Sequence, residues 1–129
     1  MSAPSIAPAA KSLYICDGHI GLANQKTDLL GIFNAIRPSQ YPHTQKHFVI
    51  FAQLLAGLGL VPFYFDIRYA PDGSLVHTTS VQQLFFPNRN TLIQMAYTMQ
   101  DCVFLQAGIY SVELFCSGPW VADTTLKLL

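Results

Sequence analysis

Apolar and polar residues alternate along most of this chain. In residues 108–116, Tyr110, Val112, Leu114 and Cys116 fall on one side of an extended backbone, and Ser111, Glu113 and Phe115 on the other. A period of two marks a half-buried strand. The same reading predicts strands over residues 13–20, 29–37, 48–55, 62–70, 74–86, 92–102 and 120–128. Turn-forming stretches rich in Gly, Pro, Asn and Asp separate them, at residues 23–26, 71–73, 87–90 and 117–119. No long helical period or internal repeat breaks the series. The expected fold is all-β, an antiparallel β-sandwich of about seven strands.

One stretch tests that expectation, because residues 48–65, FVIFAQLLAGLGLVPFYF, carry no charge and are just long enough to span a bilayer as a helix. Gly57, Gly59 and Pro62 interrupt the run where a helix would have to continue, and strict alternation resumes at Phe63. Two strands joined by a Gly-rich bend are expected instead, with no membrane span. The first of these strands is apolar on both faces: Phe48, Ile50, Ala52 and Leu54 on one, Val49, Phe51 and Leu55 on the other. A sandwich strand needs only one buried face, and a contiguous apolar patch is seldom left in water. Val49, Phe51 and Leu55, or the opposite face of that strand, together with Ile6 from the N-terminal arm, are therefore expected to form a contact with a second copy or a protein partner.

Gly108 and Tyr110 form the G-x-Y that opens the sixth strand of immunoglobulin-type sandwiches, where the Tyr hydroxyl bonds back to upstream backbone and pins a corner. Val112 stands where an immunoglobulin domain has its second cysteine, and the single Trp is Trp120 instead of a mid-chain residue. The expectation is thus an immunoglobulin-like sandwich without a disulfide.

A chain of 129 residues suffices for one domain that buries roughly two-thirds of its unfolded surface, here residues 12–129 behind a Pro/Ala-rich arm of residues 1–11. The opening MSAPSIAPAA has neither the basic nor the apolar region of a signal peptide, which points to the cytoplasm. Cys16, Cys102 and Cys116 are odd in number and follow no zinc-ligand spacing, so reduced, buried thiols are expected. Formal charge is zero, only 11% of residues are charged and Lys and Arg do not cluster, which excludes the electrostatic footprint of a nucleic-acid or anionic-membrane binder.

No nucleophile elbow, phosphate-binding loop, zinc-protease motif or calcium loop is present. Asp17 and His19 share a strand face but Cys16 points away from it, so a nucleophilic triad is not expected. Pro42 precedes the pair His43 and His47 and a strand follows it, which places them in a solvated loop and not in a metal site. Asp66 and Arg68 read as an exposed-face pair. No catalytic residue, cofactor or metal is expected.

LYICDGHIG, DLLGIFNAIRPSQYP, APDG and AGIYSVELFCSGPWVADTTLKLL together resemble a family of small bacterial immunoglobulin-like proteins of unknown function. The shared features are an opening C-D, an L-x-G-I-F strand and a closing G-x-Y-x-x-x-L hairpin. The resemblance runs from Leu13 to the end of the chain and implies the fold, without assigning functional residues. The expected function is a non-catalytic module that associates with itself or with a protein partner, as a structural subunit; the alternative is a small-ligand or glycan-binding sandwich.

Overall fold

Extended segments pair into ten strands in the computed structural model, which describes residues 4–129; residues 1–3 of the expected arm lie outside the described residues. The strands are β1 (Ala9–Gly21), β2 (Thr27–Ile32), β3 (Ala35–Ile36), β4 (His43–Leu55), β5 (Gly59–Tyr69), β6 (Ser74–Thr78), β7 (Gln82–Phe86), β8 (Ile93–Phe104), β9 (Gly108–Cys116) and β10 (Trp120–Leu128). The one helical element among the described residues is a 3-10 turn at Ala23–Gln25, so the fold is all-β.

Two sheets are formed, with strand orders β2-β1-β4-β8 and β3-β10-β9-β5, the second completed on the far side of β5 by β6 and β7. β6 and β7 pair with successive parts of β5, and Thr79 between them still exchanges hydrogen bonds with Phe65. The single strand expected over residues 74–86 is thus one interrupted edge. Between the sheets, Ile15, Phe48, Ile50, Ala52, Leu54, Met95 and Met99 meet Val61, Phe63, Phe65, Ile67, Val112, Leu114 and Leu126. Burying each large side chain contributes about 1.5–3 kcal/mol.

Cross-strand pairing moved two boundaries that periodicity alone could not place. β4 begins at His43, because the polar residues His43, Gln45 and His47 pair with Phe104, Cys102 and Gln100 of β8. The strand expected over residues 29–37 divides after Ile32, where the chain changes sheets: Phe33 N donates to Ile15 O in one, and Lys127 N donates to Asn34 O in the other. The apolar run 48–65 is the end of β4 and the start of β5, strands of opposite sheets joined by a bend through Ala56 (φ 68°) and Gly59 (φ 74°). No helix among the described residues is long and apolar enough to cross a membrane.

The second apolar face of β4 requires a correction. Val49 and Phe51, expected at a contact between molecules, are 3% and 5% exposed within the single chain, although they stand outside the cluster between the sheets. β1 pairs with β4 only as far as Cys16↔Val49 and then continues to Gly21 beside β2 alone. At the tip of this hairpin, Thr27 Oγ1 donates to Gln94 Oε1 at 3.1 Å, and Gln94 pairs with Gln53 of β4. To reach Gln94 the hairpin must double back across the outer face of the sheet, over the rows that hold Val49 and Phe51. The lengths agree, since residues 16–21 extend roughly 16 Å and residues 49–53 roughly 13 Å. Gly31 allows the bend, because its φ of +63° suits glycine and a Cβ there would collide with the Asp17 carboxylate. The apolar surplus of β4 therefore fills a small second core beneath a hairpin of the same chain.

The described part of the arm is also held internally. Ile6 and Leu58 exchange backbone hydrogen bonds of 2.9 and 3.1 Å, and β1 already begins at Ala9. Ile6 and Leu55 are each half-buried.

Candidate functional site

Residues that could carry chemistry are kept apart or capped. Cys16 is fully buried and desolvation pushes its thiol pKa up, whereas a nucleophilic cysteine needs a lowered one. Asp17 is exposed and lines a groove with His43, Gln45 and His47. His43 and His47 belong to β4, not to a loop, which separates them by roughly 13 Å along the strand; a shared metal ion is out of reach. His43 Nε2 instead sits 2.9 Å from Gln45 Oε1. Among the described residues no cluster of three metal-ligating side chains occurs.

All three cysteines are free and buried. Desolvation raises Cys102 to about 12 and Cys116 to about 11, from an ordinary 9.0. A raised folded-state pKa means stability is fully present below pH 9 and is lost as pH rises toward those values, because the unfolded chain releases its thiol protons first. Urea denaturation is accordingly expected to show stability falling between pH 9 and 11. A thiol reagent should label no cysteine in the native protein and all three after unfolding, and reductant should leave the melting temperature unchanged.

Tyr110 is 1% exposed, and its hydroxyl donates to the Gln106 carbonyl at 2.7 Å across the β8–β9 connection. Gly108 opens β9 with φ +138°, and a Cβ there would press on the Tyr69 ring. Tyr110→Phe is expected to cost about 1 kcal/mol with the fold retained, since it removes one hydrogen bond and leaves the packing; denaturant unfolding measures it.

Asp66 and Arg68 differ from the exposed pair the sequence suggested. Asp66 is buried, accepting from Thr78 Oγ1 at 2.5 Å and from Arg68 at 3.2 Å. The same guanidinium reaches Glu113 Oε1 at 3.1 Å and the Gly73 carbonyl at 3.1 Å. Arg68 thus ties β5, β9 and the β5–β6 turn together, and Thr78 of β6 joins through Asp66. The register Asp66↔Glu113↔Asp123 explains the arrangement: like charges directly opposed across a sheet repel, and Arg68 offsets two of them. Residue spacing pointed to Asp66 and Arg68; only cross-strand register could have added Thr78 and Glu113.

The surface least like that of a solitary sandwich is the outside of the β1–β2 hairpin. Ile20, Leu30 and Ile32 are 45–58% exposed there. Thr27 and Leu29, on the side opposite Leu30, are half-buried against the molecule. Among the described residues β2 is also the end strand of its sheet, with one row of backbone donors and acceptors facing away from it. Apolar side chains and an open edge lie together.

No curated protein matches the chain. Residues 11–129 match the model of a family described as a family of unknown function (DUF6941). With nearly the whole length covered, the chain belongs to that family.

Proposed function

We propose that the protein is a non-catalytic association module that joins to a second copy of itself, or to a protein partner, through the outside of the β1–β2 hairpin. The observation that carries this reading is the coincidence of Ile20, Leu30 and Ile32, all roughly half exposed, with the open edge of β2. An isologous contact pairing β2 with its symmetry mate would satisfy the edge and bury those side chains in one step. The surface is not the one sequence reasoning favoured, because the hairpin covers Val49 and Phe51 and itself presents the new apolar side.

Membership among immunoglobulin-like sandwiches is part of the proposal. Its support is the strand order, with β1, β4 and β8 in one sheet and β10, β9 and β5 in the other, which corresponds to A, B and E against G, F and C. Tyr110, near the start of β9, occupies the corner position of strand F. Three buried free thiols favour a reducing compartment such as the cytoplasm.

Sedimentation velocity of the Leu30→Asp/Ile32→Asp double variant tests the surface. The assembly is expected to dissociate with the fold intact, since both side chains are already half exposed. A Val103→Asp variant, on exposed β8, is expected to leave it associated. The reverse pattern would move the contact to β8.

A further inference from the structure

A cleft opens where the hairpin tip stands against the β7–β8 connection, with a volume of about 940 Å³. It is open to solvent, since Thr27, Thr91 and Ile93 are half-buried and the other lining residues are exposed, a shape suited to part of an extended ligand more than to an enclosed small molecule. Its walls are of two kinds. Phe85 and Leu92, 61% and 50% exposed, provide apolar surface, while Asn24, Gln25 and Gln94 provide amides. Lys26 is the only ionisable side chain among the lining residues.

The tip is built in an uncommon conformation. Asn24 and Gln25 both have φ 61°, a left-handed geometry that glycine adopts without strain and glutamine seldom does. Local strain of this kind concentrates at ligand clamps. The backbone bond from Leu22 N to Lys26 O closes the turn, and the Thr27–Gln94 hydrogen bond anchors it to β8. The amides of Asn24 and Gln25 are thereby carried to the rim, and neither side chain has a hydrogen bond among the described residues.

We propose that this cleft binds an acidic oligosaccharide, one containing uronic acid units. A primary amide offers a donor and an acceptor side by side, which suits adjacent hydroxyls of a pyranose. The exposed Phe85 ring suits the C–H face of the same ring. A single ammonium with no carboxylate among the lining residues suits one carboxylate of the ligand. A phosphate group, which favours several cations or a run of backbone N–H groups, is less well matched. The cleft adjoins the proposed contact, since Thr27 belongs both to its lining and to β2, but its amides, Phe85 and Lys26 come from the hairpin tip, β7 and β8.

Backbone amide shifts in ¹⁵N spectra of the whole chain test it, with tetragalacturonate and a hyaluronan tetrasaccharide as acidic probes and cellotetraose as the neutral one. At least one acidic probe is expected to give saturable shifts confined to residues 22–27, 85 and 91–94. Lys26→Gln should weaken that probe about tenfold, to the level of cellotetraose, as loss of one charge-assisted hydrogen bond implies. Phe85→Ser, at an exposed position, should weaken acidic and neutral probes alike. Spectra outside the cleft should stay unchanged in both variants. The proposal is overturned by the absence of saturable shifts with both acidic probes up to ~10 mM, by shifts centred elsewhere, or by binding indifferent to Lys26→Gln.

Discussion

Phe51→Asp is expected to unfold the protein, not to convert an oligomer into folded monomers. Phe51 is 5% exposed under the β1–β2 hairpin, so the change removes a buried aromatic ring at a cost of about 3–5 kcal/mol. It also places a carboxylate at a position only 5% exposed, for several kcal/mol more. The sum rivals the whole stability of an ordinary domain, about 5–15 kcal/mol. Circular dichroism and urea titration against the wild type should show loss of the cooperative transition at room temperature. A folded, monomeric Phe51→Asp protein would return the outer face of β4 to the interface and remove the hairpin cover from the account.

The second large effect is expected from Arg68→Ala, at about 2 kcal/mol. Asp66 would keep only Thr78 as a side-chain partner in a site where its side chain is 8% exposed, and Glu113 and the Gly73 carbonyl would lose theirs. The Arg68 side chain is itself 38% exposed, so solvent screens part of the interaction and the figure stays well below that for a fully buried pair. A double-mutant cycle with Asp66→Asn isolates the coupling. A loss under ~0.5 kcal/mol, the range of an exposed pair, would show that the guanidinium does not hold β5, β9 and the β5–β6 turn together.

Much of the fold was legible because period-two alternation is a local property. Segments such as 108–116 and 120–128 declare both their conformation and their inward face through their own side chains, and the free, buried cysteines followed from count and context. Tyr110 could be singled out because Gly108 two residues earlier marks the start of its strand. What escaped depends on pairs far apart in sequence. His43 to His47 look like a polar loop until β8 supplies the register that makes them strand. Residues 29–37 look like one strand until each end meets a different sheet. Most consequential was β4: two apolar faces in sequence signal two burials, but not whether the second cover is another molecule or a hairpin of the same chain. The decision rests on the bend at Gly31 and the reach of Thr27 to Gln94, and neither is a matter of periodicity. Exposure of Leu30 and Ile32, and hence the proposed contact, follows from that bend.

Light scattering of the wild-type chain after size exclusion, at about 100 μM, tests the central claim most directly. Micromolar concentrations are enough to populate a specific contact between copies with a Kd in the low micromolar range. The account predicts one species at an integer multiple, two or more, of the 14.3 kDa chain mass. A single species of 14.3 kDa across the concentration range would contradict self-association through the β1–β2 hairpin.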